Sequence, residues 1–197
     1  MFAYLRPKLS NKRVILASMS KPRLALCEQE SFSVEIMDSQ YPETLDKASF
    51  LSASEYVRAT SQGKLDAVLA NMEKNGEKWD LVITCDTVVV KDDKIFEKPK
   101  DNDEAVQFLK ELSGDPHFVL SWVNVAFSGP KGVRKYQEQS VTECDMPSQS
   151  AEVFRTYVEE LGTATQHSGG YAVQKAGSLM RGVKGEFSNI VGMPMHV

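Results

Sequence analysis

One carboxylate, Asp86, lies inside a run of apolar and β-branched residues at positions 81–90. The density of β-branched residues predicts a strand. An ionised carboxylate in such surroundings is expensive to desolvate unless a cation or hydrogen-bond donors accompany it. A metal ion, a lysine or a strand end that opens onto a cleft would each meet that need. Asp86 is therefore the leading candidate for chemistry, the alternative being that it ends one strand and caps a turn into the next.

A second candidate is the polar corner Ser18-x-Ser20, which follows a short apolar segment at 13–17. That segment predicts a buried strand, and Pro22 suits the first turn of a helix. Hydroxyl and backbone N–H groups would converge at the positive end of the helix dipole, with Arg23 one turn inside. Such an arrangement binds anions, although a plain serine N-cap would leave the same pattern.

Three further charged side chains lie at positions that could contribute to one site: Glu43 in a loop, Lys64 on a long helix, and Lys98 before Pro99. Taken singly, each is an ordinary surface residue. Several familiar sites are absent from the sequence: there is no G-x-x-x-x-G-K-[ST], no G-x-G-x-x-G after a strand and no G-x-S-x-G. The chemistry therefore depends on whether these dispersed residues meet in the fold.

The helix that would carry Lys64 opens with a capping-box pattern, Ser52 followed three residues later by Glu55. It is predicted to run to about Glu73. Along one side of this helix the sequence places Tyr56, Ala59, Gly63, Ala67 and Ala70.

The remaining elements alternate between helical and extended patterns. Strands are predicted at 13–17, 33–37, 81–90, 117–127 and 133–146, and helices near 22–28, 101–113 and 149–160. A hairpin turn is predicted at 91–94, between the strand with Asp86 and the Lys98 loop. This order indicates an α/β or α+β protein with a mixed sheet.

The composition is that of an ordinary globular domain, with 197 residues, 42% hydrophobic and 25% charged. No apolar run approaches the ~20 residues that cross a bilayer, so we expect no membrane association. A net charge of −4 argues against nucleic-acid binding. Three dispersed cysteines predict reduced thiols in a cytoplasmic protein rather than disulfides or a zinc site.

The chain begins with a basic N-terminal segment, residues 1–12. The run of charges from Arg6 to Arg13 predicts a solvated tail or the early part of a transit peptide, the alternative being a cationic surface that holds a small anionic ligand. No repeat or Pro/Ser-rich linker interrupts the rest, so residues 13–197 are predicted to form a single domain.

Several motifs occur in one order at compatible spacings. They are Ser18-x-Ser20-x-x-Arg23, the loop Glu43, the helix Lys64, Asp86-Thr87-Val-Val-Val, Lys98-Pro-Lys-Asp, Leu-Ser-Gly, Gly-x-Tyr-x-x-Gln174 and Asn-Ile-Val-Gly-Met-Pro. In this order they strongly resemble the Maf-like nucleoside triphosphate pyrophosphatases, over residues 13–195.

The resemblance implies an α/β fold with a mixed elongated sheet, flanking helices and two lobes around a central cleft, as in the inosine-triphosphate pyrophosphatases. It implies cleavage of a nucleoside triphosphate to the monophosphate and pyrophosphate with Mg²⁺ or Mn²⁺, in a homodimer. The catalytic residues implied are Asp86, Lys64, Lys98 and Glu43, with Asp86 and Glu43 as metal ligands. The substrate-binding residues implied are Ser18, Ser20, Arg23, Thr87 and Gln174, of which Thr87 and Gln174 resemble the branch acting on dTTP and UTP.

The chain departs from the family pattern in three places. Lys21-Pro22 stands where the family has Pro-Arg before Arg23, and Pro42 stands where an acid usually precedes Glu43. Ser168-Gly169 stands where the family usually has Ala-Gly. These departures keep open a catalytically weak nucleotide-binding regulatory module. A phosphatase of another fold that uses Asp86 as its nucleophile is a third alternative.

Overall fold

A mixed sheet forms the centre of the computed structural model, which describes residues 2–196. Seven strands form this sheet within those residues. In chain order the strands are β1 (Val14–Leu16), β2 (Glu35–Ile36), β3 (Leu81–Lys91), β4 (Lys94–Phe96), β5 (His117–Gly129), β6 (Gly132–Asp145) and β7 (Gly182–Lys184). The spatial order is β2-β1-β3-β5-β6-β7, and β4 pairs with β3.

Helices flank the sheet and alternate with the strands along the chain. They are α1 (Phe2–Leu9), α2 (Lys21–Gln29), α3 (Ala53–Lys74), α4 (Asn102–Leu112), α5 (Ala151–Leu161) and α6 (Phe187–Val191). The predicted class, a mixed sheet with flanking helices, is confirmed. The predicted strand at 33–37 shortens to the two residues of β2.

The hairpin between β3 and β4 turns at Asp92 and Asp93, as predicted. Both residues have positive φ, 49° and 61°, and aspartate is one of the few non-glycine residues that tolerates this conformation. The turn returns the chain alongside the last residues of β3, with Val89 opposite Phe96. It thereby directs the segment that carries Lys98 back towards Asp86.

The start of α3 has the predicted cap: Ser52 accepts a hydrogen bond from the backbone N–H of Glu55. The Glu55 carboxylate accepts from the N–H of Leu51 rather than from that of Ser52. Of the five residues that the sequence aligns along one side of α3, only Tyr56 is buried. The buried residues are Tyr56, Val57, Thr60, Ser61, Lys64, Leu65, Val68 and Met72. Because polar residues occupy part of the packed face, the pattern of apolar residues does not mark it.

Each face of β3 packs against a different layer. Val82 packs with Leu65 of α3, whereas Leu81 and Cys85 pack with Cys27 of α2. Farther along, Val89 joins a larger apolar cluster with Leu109 and other residues of α4 and α5. The strand is therefore covered on both faces, which accounts for its near-continuous apolar sequence.

The edge of β3 that faces β1 is paired at both ends and unpaired in the middle. β1 pairs in parallel with residues 81–83, and β4 pairs antiparallel with residues 89–91. Within the described chain no strand pairs with residues 84–88 on that side. The chain of β1 turns away after Leu16 towards α2, which leaves a crevice beyond the carboxyl end of a parallel strand, a common position for ligand sites in α/β proteins.

The basic N-terminal segment includes helix α1. The expected solvated tail is wrong for its last charges, because Lys12 binds Asp80 at 2.8 Å and Arg13 binds Glu35 and Glu77, each at 2.8 Å. Among residues 2–196 no helix combines the length and the apolarity needed to span a bilayer.

His117 gives the fold a titratable core residue. Its ring nitrogens contact the Leu112 carbonyl oxygen at 3.1 Å and the Tyr171 hydroxyl at 2.8 Å. Burial lowers the pKa of His117 from 6.5 to about 4. Between these values the unfolded chain takes up a proton that the folded protein excludes, so folding stability falls as the pH drops.

We expect His117→Gln to weaken this acid sensitivity. For the wild type, the free energy of unfolding should lose up to about 1.4 kcal/mol per pH unit through this group between pH 6.5 and 4. Urea unfolding at pH 7 and pH 4.5 measures the loss in both proteins. An equal loss in the variant would show that His117 does not control it.

Candidate active site

A cavity of about 870 Å³ fills the crevice beside residues 84–88 of β3. It is bounded by the corner after β1, by α3, by the loop after β4 and by two segments near the C-terminus. All of the predicted site residues except Gln174 line it: Ser18, Ser20, Arg23, Glu43, Lys64, Asp86, Thr87 and Lys98. The fold therefore brings together side chains that are up to 80 positions apart in sequence.

The ammonium group of Lys64 connects two carboxylates of the cavity lining. Its Nζ lies 2.6 Å from Asp86 Oδ1 and 2.8 Å from Glu43 Oε1. The Lys64 and Asp86 side chains are 9% and 13% exposed, whereas Glu43 is 60% exposed. Asp86 is thus a desolvated carboxylate with a cation beside it, as the sequence required if it were to remain charged.

The two carboxylates respond oppositely to this environment. Burial raises the pKa of Asp86 above its ordinary value, and Lys64 and Arg23 oppose the rise without cancelling it. Burial also acts on Glu43, but its hydrogen bond to Lys64 and the charges of Lys64, Lys98 and Arg23 lower its pKa overall. The site therefore contains one more basic and one less basic carboxylate, a pairing that lets acid–base and electrostatic roles differ.

Arg23 joins the Ser18 corner to β3. Its guanidinium donates to the Ser18 hydroxyl at 3.2 Å and the Thr87 hydroxyl at 3.3 Å. It also donates to the carbonyl oxygen of Gly192 at 2.7 Å. Gly192 has a φ of 121°, a conformation that only glycine adopts readily. The C-terminal segment thus holds Arg23 in place, and Arg23 in turn holds the Ser18 corner.

Ser20 occupies the N-cap position of α2, but its side chain makes no capping hydrogen bond. Its backbone N–H donates to the Ser18 hydroxyl at 3.2 Å. The first turn of α2 therefore faces the cavity beside Lys21 and Arg23. The plain serine cap considered above is not what the structure shows, and the positive helix end lies beside these two cations.

Lys98 is exposed at the rim, while Pro99 after it is buried. Its charge contributes to the lowered pKa of Glu43. Lys98 and Arg23 therefore both contribute positive potential at Glu43. Together with Lys21, Lys64 and Arg23, Lys98 gives the cavity wall four basic side chains.

Gln174 is the predicted site residue that does not reach the cavity lining. It is exposed within a short 3₁₀ turn, Val173–Lys175, whose Val173 packs into the core. Its predicted part in substrate binding therefore has no geometric support, although its neighbour Tyr171 does line the cavity.

The sequence did not single out two groups of residues that line the cavity. One is a pair on the rim, Tyr56 and Glu97, joined by a hydrogen bond of 2.9 Å. The other is the segment 165–168, which includes His167. Burial, with Lys98 and Lys175 nearby, lowers the pKa of His167. No spacing pattern marks either group, because both reach the cavity through tertiary packing.

Gly169 and Gly170 were a possible signal for the second group. Both have positive φ. A Cβ on Gly169 would lie 3.1 Å from Val89, and one on Gly170 would lie 3.2 Å from Ala105. The pair therefore lets segment 165–168 pack against β3 and α4, next to the cavity.

The donor set suits a hard divalent cation. Within residues 2–196 no three His, Cys, Asp or Glu side chains group as a metal site. Asp86 and Glu43 nevertheless both contact the Lys64 ammonium group, and Mg²⁺ is commonly held by one or two carboxylates together with phosphate oxygens. The residues present therefore fit a metal that arrives with a phosphorylated ligand.

Comparison with known protein families identifies the family of this chain. The family described as Maf-like protein matches residues 13–197. The chain belongs to the Maf-like family. The match spans β1 to the C-terminus and includes every residue of the cavity lining.

Several proteins named as pyrophosphatases are similar to this chain along most of its length. A dTTP/UTP pyrophosphatase of Schizosaccharomyces pombe is 36% identical, over 95% of this chain and 81% of its own length. A nucleoside triphosphate pyrophosphatase of Dictyostelium discoideum is 32% identical, over 91% and 85% respectively. A dTTP/UTP pyrophosphatase of Acetivibrio thermocellus is 34% identical, over 93% and 90%.

The loop that carries Glu43 is seated on α3 by Tyr41. A Cβ at Gly63 would lie 2.3 Å from the Tyr41 ring, so the ring occupies the space that a side chain at this position would fill. Gly63 precedes Lys64, and Tyr41 is two residues before Glu43. The contact thus places the carboxylate beside the lysine.

We expect Gly63→Ala to displace Tyr41 and to move Glu43 out of hydrogen-bond distance of Lys64, without unfolding the protein. Alanine favours the helix by about 1 kcal/mol over glycine, which offsets the lost ring contact. A crystal structure and a melting curve of the variant test this. Tyr41→Ala should release Glu43 in the same way, and a Glu43–Lys64 contact that survives both changes would contradict the role of the ring.

Proposed function

We propose that this protein hydrolyses nucleoside triphosphates to the monophosphate and pyrophosphate, with dTTP and UTP as its preferred substrates. The observation that carries the proposal is the buried Asp86 beside Lys64, in a cavity walled by basic side chains. The pyrophosphatase activities named for its relatives support the same reaction.

The basic wall is suited to a polyphosphate. Lys98, Lys64 and Arg23 would neutralise phosphate oxygens, and the Ser18 hydroxyl together with the first turn of α2 would donate hydrogen bonds to them. Arg23 is already held in place by Gly192 and Thr87, so it loses little conformational entropy when it binds a phosphate. These basic side chains would already neutralise the negative charge of the leaving pyrophosphate. This is electrostatic stabilisation by preorganised groups.

Asp86 is the proposed general base. A water oxygen attacks the α-phosphorus, a water proton passes to a carboxylate oxygen of Asp86, and the bond from the α-phosphorus to the bridging oxygen breaks. The electron pair of that bond leaves with pyrophosphate. The raised pKa makes the Asp86 carboxylate a stronger base than an exposed aspartate. Lys64 keeps that carboxylate oriented through its 2.6 Å contact.

A divalent metal, Mg²⁺ or Mn²⁺, is the proposed cofactor, held by Asp86 and Glu43 together with phosphate oxygens. When bound, it would neutralise phosphate charge and increase the acidity of water. Glu43 is well suited to this role because its pKa is lowered and its side chain is more than half exposed. Lys64 would then balance the two carboxylates from the protein side.

The pyrimidine preference rests on the names of the relatives and on the chemistry of the inner wall. Val119, Tyr171 and Ile190 give this part of the cavity an apolar surface that suits a base. The Thr87 hydroxyl lies 2.7 Å from that of Ser121 and is shared with Arg23. Thr87 would therefore affect base selection through the position of these two partners.

Two further expectations remain proposals: a cytoplasmic location and a homodimer. The three cysteines, Cys27, Cys85 and Cys144, are all buried free thiols, which fits a reducing compartment. The resemblance to the family is the support for the dimer.

Asp86→Asn tests the central assignment. The variant keeps the shape of the side chain but removes the base, so we expect pyrophosphate release to fall by about 10²- to 10⁴-fold. Asp66→Asn is the matched control, because Asp66 pairs with Lys135 on the outer surface of α3. The release of pyrophosphate and the release of orthophosphate should both be measured, with dTTP and with UTP as the substrate.

The same assay separates the alternatives. Turnover of Asp86→Asn near that of the wild type would refute the assignment. Orthophosphate as the sole product would indicate a phosphatase. A wild type that is thermally stabilised by nucleotide but releases no pyrophosphate would be a binding module.

Glu43→Gln tests the metal. Losing even an outer partner of a metal ligand costs about 10- to 100-fold in metal affinity, so the Mg²⁺ concentration for half-maximal rate should rise by at least that much. The rate at saturating Mg²⁺ should recover substantially. If the Mg²⁺ dependence is unchanged, Glu43 is not a ligand.

A further inference from the structure

Three polar side chains lie buried at the seam between α3 and the sheet, behind the proposed catalytic groups. They are Ser61 of α3, Thr84 of β3 and Asn124 of β5, and they are 0%, 0% and 1% exposed. We call this group the Ser61 clamp. The cavity lining does not include it, so it makes no contact with a substrate.

Three side-chain hydrogen bonds of the Ser61 clamp involve Ser61. The Thr84 hydroxyl donates to the Ser61 backbone carbonyl at 3.0 Å. The Asn124 amide donates to the Ser61 hydroxyl at 2.7 Å, and that hydroxyl donates to the carbonyl oxygen of Trp122 at 2.9 Å. One turn of α3 is therefore tied to two strands at once.

Apolar contacts flank the clamp on both sides along α3. Val57 packs with Val88 before it, and Leu65 packs with Val82 after it. Apolar packing has no preferred direction, so it resists separation of a helix from a sheet more strongly than it resists sliding. Hydrogen bonds are directional and specify where along the strand the helix rests.

The clamp and the catalytic pair join the same two elements. Lys64 lies almost one turn after Ser61 on α3, and Asp86 lies two residues after Thr84, on the same face of β3. Helical side chains lean towards the N-terminus, so Lys64 reaches back over this turn towards Asp86. Any slide of α3 along β3 would change the 2.6 Å contact between Lys64 and Asp86.

We propose that Ser61 and Thr84 are positioning residues that set where Lys64 meets Asp86. This inference rests on the proposed function and deepens it, since it assigns part of the catalytic geometry to groups outside the cavity. A misplacement of about 1 Å can cost about 10²-fold in rate even when it originates far from the chemistry.

Thr84→Val tests the proposal with little change in shape. Valine removes the hydroxyl that donates to Ser61, while the Ser61 carbonyl keeps its place in the helix. Thr84→Ser is the conservative variant, because it retains the hydroxyl. Thr60→Val is the matched control: Thr60 is also buried on α3, but its hydroxyl donates to the Tyr56 carbonyl oxygen within the same helix, at 3.0 Å.

We expect Thr84→Val to lower kcat for pyrophosphate release by about tenfold, with KM changed by less than about threefold. Thr84→Ser should have a kcat within about twofold of the wild type. The kcat of the Thr60→Val control should also lie within about twofold of the wild type. A Thr84→Val enzyme with wild-type kcat, or a Thr84→Ser enzyme as impaired as Thr84→Val, would overturn the proposal. If Thr84→Val does not fold, Ser61→Ala takes its place with the same expected loss of kcat.

A second readout does not depend on activity. If the clamp places Lys64, Thr84→Val already loosens the ion pair, so Thr84→Val and Lys64→Met together should lower Tm by less than the sum of their separate effects. Additive losses would overturn the clamp. A wild type that releases no pyrophosphate would refute the proposed function alone, and the melting temperatures would still decide whether Thr84 positions Lys64.

Discussion

The site depends on one buried ammonium group placed between two carboxylates. Lys64 contacts both Asp86 and Glu43, and the surrounding apolar strand denies Asp86 the solvation that would otherwise stabilise it. A buried ion pair adds little net stability compared with apolar packing, but removing one partner leaves an uncompensated charge. The arrangement is therefore best understood as a functional constraint, which the fold satisfies by burying a lysine on the packed face of α3.

The sheet topology determines where this constraint can be met. β1 pairs with the start of β3 and β4 with its end, so the middle of β3 is the segment whose edge opens onto a cavity. The corner after β1 brings Ser18 and the first turn of α2 to that opening. The C-terminal segment closes it from the other face through Gly192. Residues remote in sequence thus meet at one interruption in a ladder of hydrogen bonds.

Much of this could be predicted from sequence, because local signals matched the tertiary structure. β-branched density located β3, and the serine and aspartate caps located the starts of α3 and α4. Apolar periodicity does not mark the packed face of α3, because Ser61 and Lys64 are buried there. Departures of this kind from the local pattern are expected where a site lies.

Other features could not be predicted, because they arise only when distant segments pack. No periodic pattern in the sequence predicts the contact of Tyr41 with Gly63 or the position of segment 165–168 at the cavity. Gln174 shows the converse: a motif position marks it for the site, whereas its place in a short 3₁₀ turn is exposed and outside the cavity lining.

The continuity of β3 also limits how the protein can move. Its residues 81–90 pair without interruption with β5, beneath both ends of the cavity. Hinge closure requires a few backbone positions that absorb large rotations, and a strand locked along its full length supplies none under the ligand. Discrimination between nucleotides must then come from a preformed pocket and from the loops that line it, rather than from two rigid halves that shut around the bound molecule.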